Sequence, residues 1–155
     1  MNRKIKFRRK NKYIGWVFGQ LAYGLNEETY IIEEVELDNS YGLEETILYP
    51  DMWHRVDPDT IGQYTGLHDK NGKEIYEGDV IEFSYDVFTG NFDTKVGRGT
   101  IEFIDGAFYI KPFEIEGKKI KDIDNEEWFL LYTVNTDILK VLGNVHENLE
   151  LLGGE

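Results

Sequence analysis

Cysteine is missing from this chain altogether. Disulfide staples and thiolate metal sites are therefore excluded, and a reducing cytoplasm suits the composition. Proline is scarce, with 3 residues against 16 glycines, the balance expected of strands joined by many tight turns. No uninterrupted apolar run of about 18 residues occurs, so no segment reads as a membrane-spanning helix. The start of the chain is basic, but no apolar stretch of the kind a secretory signal carries follows it. Also missing are a Gly-x-Ser-x-Gly elbow, a glycine loop ending in Lys-Ser/Thr and a dinucleotide fingerprint.

What is present is β-like. The chain has 155 residues, enough for one domain or two small ones and for burial of roughly 70% of the unfolded surface. Tyr, Phe, Trp, Val, Ile and Thr are plentiful, a mixture that fits pleated, half-buried surfaces. Residues 4–9 alternate basic side chains with Ile5 and Phe7, the period of a strand with its cations on the solvent side. Residues 13–19 form a second β-rich run. A further strand or strands are expected at 30–37, with turn composition at 38–42. Asp57-Pro58-Asp59-Thr60 reads as a turn able to cap a short helical turn. Asn71-Gly72, between β-like arms, predicts a type I′ hairpin, and Asp105-Gly106 predicts a second. Residues 80–85, 100–104 and 107–113 read as strands. Residues 86–96 read as a polar loop exposing Phe88 and Phe92, and 114–127 as a second, flexible loop. Strands at 128–132 and 139–145 precede a short turn or helical cap at 148–152. A sheet so small must curl to protect its edges. The expected fold is mainly β, with an N-terminal β-rich part over residues 1–60. A hairpin plus a partly open, SH3-like barrel and C-terminal tail should occupy 61–155.

Charge is unevenly spread. The net formal charge is −13, yet the first twelve residues carry seven cations and no acid, which leaves −20 on the remainder. Such a body repels phosphates unless one face is locally basic. Arg8, Arg9 and Lys10 are the centre of the basic arm. They serve equally as a nucleic-acid contact, as the protected outer face of an edge strand, or as internal partners for the acidic body.

No residue set carries an evident reaction. Asp69-Lys70-Asn71-Gly72 has glycine and lysine where a calcium loop needs ligands, so it reads as a turn. His54, His68 and His146 are far apart and form no His-x-x-x-His pair. Adjacent carboxylates such as Glu44-Glu45 point to opposite faces if on strands. Gln63 and Tyr64 have two readings: turn-flanking residues in which Tyr64 packs, or a small ligand surface. The chain is expected to be no enzyme and to need no metal or cofactor.

Residues 56–81, with Gly66-Leu67-His68-Asp69 and Gly78-Asp79-Val80-Ile81 at their heart, resemble the YopX family of phage and prophage proteins. Ile5-Lys6-Phe7-Arg8 with Gly15-Trp16-Val17-Phe18-Gly19 resembles the family's opening. Val141-Leu142-Gly143-Asn144-Val145 with Leu149-Glu150-Leu151-Leu152 resembles its close. His68 and Leu149 depart from the family's usual residues, both in turns or tails. The resemblance implies a temperate phage or prophage origin in a bacterium and an SH3-like barrel in the C-terminal part, and it carries no activity. The expectation is a cytoplasmic accessory protein that binds another protein, of phage or host, or a second copy of itself, with Phe88 and Phe92 as contacts. The alternatives are an acidic mimic or inhibitor of a host nucleic-acid-binding protein, and a weak nucleic-acid binder acting through the arm.

Overall fold

A computed structural model describes residues 4–25, 28–33, 53–88, 92–120 and 128–152. The strand residues and turn expected within 34–42 lie outside the described residues. The chain is mainly β and divides into two compact units, Met1–Gln63 and Tyr64–Glu155.

In the first unit β1 (Phe7–Asn11) pairs antiparallel with β2 (Gly15–Tyr23), β2 with β3 (Thr29–Glu33), and β3 with β4 (Trp53–Arg55). The other edge of β1 meets the first residues of β5 (Gly62–His68), Phe7 opposite Gln63 and Arg8 opposite Gly62. Val17, Ile31 and Val56 form the apolar core, with Phe7 and Leu21 packed against it. So small a core leaves room for cations. Arg8 is 7% exposed and Arg9 0%, which corrects the expectation of solvent exposure for these two arginines, while Lys4 and Lys12 are exposed. β1 is an interior strand, with β2 on one edge and β5 on the other, and neighbouring residues point to opposite faces; Trp16 covers Arg8, and the turn at Pro58 takes the Arg9 guanidinium. Arg8 lies over the Trp16 ring, 5.0 Å from its centroid. Asp57 caps a single 3-10 turn over Pro58–Thr60, its carboxylate accepting from the Asp59 N–H.

The second unit holds the rest of β5, paired with β6 (Glu74–Tyr76). Its main sheet runs β10 (Lys118–Lys119), β9 (Ala107–Ile115), β8 (Phe92–Ile104), β7 (Asp79–Phe88), β12 (Lys140–Asn144), with β11 (Phe129–Leu130) also on β9. This sheet curls into a half-barrel of SH3-like character. Burial along β9 alternates strictly through Phe108, Ile110 and Pro112, the period of a strand with one face on a core. Those residues join Ile75, Ile81, Phe83, Ile101, Leu131, Leu139 and Val141 in the interior. Pro112 has no N–H to give the ladder, and the β8–β9 register shifts beside it, between Arg98 and Gly99; proline inside a sheet is confined to such bulges and to edges.

Three local expectations are corrected in this unit. The hairpin at Asn71-Gly72 is present, but only Gly72 has positive φ. Gly72 N–H donates to Asp69 O, and Asp69 N–H to Lys73 O, so the turn is longer than type I′. Asp105-Gly106 does have both residues at positive φ, 50° and 84°, as type I′ requires. Residues 86–88 and 92–96 are strand and not loop. Strands β7 and β8 continue as a two-stranded ribbon in which Phe88 opposes Phe92, and Thr94 Oγ1 donates to Asp86 Oδ1 at 2.7 Å across it. Lastly, 114–120 is a hairpin, with Ile115 opposite Lys118 and Glu116-Gly117 at φ 49° and 74°. Residues 121–127 lie outside the described residues.

Candidate functional site

Asn11 ends β1 and opens the turn to β2. Its Oδ1 accepts from the N–H of Tyr13 at 2.8 Å and of Ile14 at 3.1 Å, the way an Asn side chain substitutes for backbone in a turn. Its Nδ2 donates to Arg55 O at 2.8 Å, tying the turn to β4. On this fixed frame Tyr13 is 86% and Ile14 59% exposed. The Lys12 ammonium sits 5.9 Å from the Tyr13 ring centroid.

Behind the turn lies a groove of about 620 Å³, lined by Lys10, Asn11, Lys12 and Tyr13 on one side and Arg55, Val56 and Asp57 on the other. Its floor is tied down from several directions. Asp57 N–H donates to Lys10 O at 3.0 Å, and Val56 N–H to Thr29 O at 3.1 Å. Lys10 N–H donates to Thr60 Oγ1 at 2.9 Å. Beneath it, Arg9 Nη2 donates to Pro58 O, while its Nε and Nη1 meet no hydrogen-bond partner among the described residues. Burial pushes Arg9 below the usual arginine value, against the opposing influence of Tyr23, Asp57 and Asp59.

The Arg55 guanidinium, 72% exposed, is oriented by Glu28 at 3.0 Å. The other Glu28 oxygen accepts the Tyr30 hydroxyl at 2.7 Å. That hydrogen bond, with burial, raises Tyr30 above the usual phenol value. The groove thus presents three cations and one lining carboxylate, Asp57, in a chain with 30 acidic and 17 basic residues. A second, smaller groove of about 300 Å³ lies along Lys6, Trp16, Phe18 and Glu33, where one cation faces one acid.

Of the residues singled out from sequence, Lys10 lines the larger groove, while Arg8 and Arg9 are buried. Gln63 and Tyr64 are neighbours on β5 and so point to opposite faces. Tyr64 is buried, its ring 5.4 Å from that of Tyr76 and its hydroxyl 3.4 Å from both His68 ring nitrogens. The backbones of Phe88 and Phe92 are paired, and their side chains lie outside the described residues. Sequence reasoning missed Asn11, Tyr13 and Arg55. The available signal was Asn11 and Gly15 bracketing three residues between β runs, a turn that was absorbed into the strand expected at 13–19. Among the described residues no three His, Cys, Asp or Glu side chains gather to hold a metal ion, and no helix is long and apolar enough to cross a membrane.

Comparison with known proteins bears on the whole chain. The crystal structure of protein EF1440 from Enterococcus faecalis is similar, at 25% identity and a TM-score of 0.51, covering 97% of this chain and 99% of that one. No curated protein matches. The family model described as YopX protein matches residues 6–153. A match of that extent takes in both units, and the chain belongs to the YopX family.

Proposed function

We propose that this protein is a non-enzymatic accessory factor, made in the cytoplasm of a bacterium carrying a phage or prophage, that works by binding another protein through the β1–β2 turn and the groove behind it. The observation that carries the reading is Tyr13 and Ile14, large and exposed on a turn whose backbone Asn11 holds in place. A rigid aromatic side chain loses little entropy on contact, and such residues dominate protein interfaces. The test places a photocrosslinking amino acid at Tyr13 and, separately, at Tyr132, an exposed tyrosine of the second unit. In host cells during phage induction, a discrete crosslinked protein is expected from Tyr13 and not from Tyr132. Equal or absent crosslinking at both sites refutes the reading.

The charge of −20 beyond the first twelve residues favours a second reading, an acidic mimic that occupies a basic host protein. In that case crosslinking arises from acidic surface positions and not from Tyr13. The arm as a nucleic-acid contact loses ground, because buried Arg8 and Arg9 cannot reach phosphates.

A further inference from the structure

We infer that the groove between the β1–β2 turn and β4 takes an acidic peptide segment, with carboxylates set against Lys12 and Arg55 and an apolar side chain on Tyr13. This rests on the reading of that surface as a protein contact and names what the contact recognises. Charge complementarity is the first ground. Lys12 and Arg55 line the groove against one lining carboxylate, Asp57, on a chain whose net charge is −13. A local patch of the minority sign attracts a partner of the majority sign and orients its approach.

Size and chemistry narrow the occupant. A volume of about 620 Å³ exceeds a single carboxylate and holds several side chains. Arg55 is already aimed by Glu28, so its planar donors are pre-set for a carboxylate arriving from the open side. Tyr13 and Ile14 flank those cations with exposed apolar surface, which suits a segment of mixed acidic and apolar composition.

A nucleic-acid strand fits less well. It brings a phosphate at every nucleotide and must run past Asp57 in the wall and Glu28 beside Arg55. A peptide can put its few carboxylates over the cations and leave uncharged residues opposite those acids.

The experiment selects displayed random 12-residue peptides on the immobilised full-length chain and counter-selects on the Lys12→Glu variant. The leading peptide is then titrated against the wild type, Lys12→Glu, Tyr13→Ser and Lys140→Glu at about 150 mM salt, where the screening length is about 8 Å. A labelled dT12 is titrated in parallel. Enriched peptides are expected to be net acidic with at least one apolar residue. Lys12→Glu and Tyr13→Ser should each weaken binding at least tenfold, while Lys140→Glu, the same charge change on β12, should change it less than twofold. Enrichment of neutral or basic peptides, no enrichment, or equal loss with Lys140→Glu overturns the inference. So does dT12 binding tighter than the peptide and lost in Lys12→Glu. A partner crosslinked at Tyr13 whose capture survives Lys12→Glu overturns the acidic specificity alone and leaves the protein-binding function standing.

Discussion

The carboxylate of Asp69 accepts the backbone N–H of Val141 at 3.0 Å, joining the tip of the β5–β6 hairpin to β12 across 72 positions of sequence. Its other oxygen accepts from the N–H of Asn71 at 2.8 Å and of Lys73 at 3.0 Å. One buried side chain therefore closes a turn and docks that turn on the strand. Asp69→Ala leaves the Val141 N–H unpaired in the interior and frees the hairpin turn, and a buried unpaired donor alone costs about 1–3 kcal/mol. A loss of roughly 3 kcal/mol in urea unfolding is expected; a loss below about 1 kcal/mol would contradict the anchoring role.

The same residue gives acid lability. Burial is the largest single influence on Asp69 and opposes its charge, but hydrogen bonds from Val141, Lys73 and Asn71 together outweigh it and hold the carboxyl below its ordinary value. A carboxyl depressed in the folded state contributes its full stability above the unfolded value, near 3.9, and loses it as pH falls through the lower folded value. Melting temperatures of wild type and Asp69→Asn should therefore converge as pH drops below about 4. A gap that stays constant down to pH 2 counts against this.

Arg9 is the more deeply buried of the two β1 arginines, and its guanidinium fills space that the short apolar core does not. Arg9→Ala should lower stability by about 3 kcal/mol, by loss of packing and of the bond to Pro58 O. Lys12→Ala, on the exposed turn, should stay within about 0.5 kcal/mol. Guanidinium unfolding of both variants checks the contrast.

Gly19 sits in the middle of β2, between β1 and β3. A Cβ there would overlap the Ile32 carbonyl oxygen and lie 2.8 Å from its carbon. Backbone cannot step aside as a side chain can, so Gly19→Ala should cost more than about 3 kcal/mol. At Gly15 a Cβ meets nothing within 4 Å, although φ is +85°, and Gly15→Ala should cost about 1–2 kcal/mol. Equal costs would show that conformation rather than close approach governs both positions.

Tyr64 is a packing residue of the second unit, its buried ring set 5.4 Å from that of Tyr76. Tyr64→Ala should lose roughly 3–5 kcal/mol, as a buried aromatic does.

These residues also show what the sequence could and could not carry. Asp105-Gly106 was legible because Asp and Gly both tolerate positive φ. Glu116-Gly117 makes a turn with the same two positive angles, yet glutamate rarely adopts that conformation, so nothing flagged it. The ribbon at 86–88 and 92–96 read as a loop because its side chains are mixed in polarity, and periodicity needs one apolar face to be seen. Arg8 and Arg9 read as solvent-facing because arginine is seldom fully buried; the Trp16 ring over one and the turn at Pro58 against the other cover them. The candidate groove was legible in Lys10 alone, since Tyr13 and Arg55 come from segments that sequence does not join.

The place of β12 has a consequence for synthesis. Strand β7 pairs with β8 on one edge and with β12 on the other. The ribosome delivers β8 and β9 soon after β7, so the meander can form as it emerges. The second edge of β7 must wait for residues 140–144, a few seconds later at roughly 5–20 residues per second. Throughout that interval the nascent chain carries an open row of backbone donors and acceptors, and Asp69 has no Val141 to receive. β12 closes this edge after β7 to β11 have been made, so a chain stalled before residue 140 exposes the edge of β7 to pairing with its neighbours.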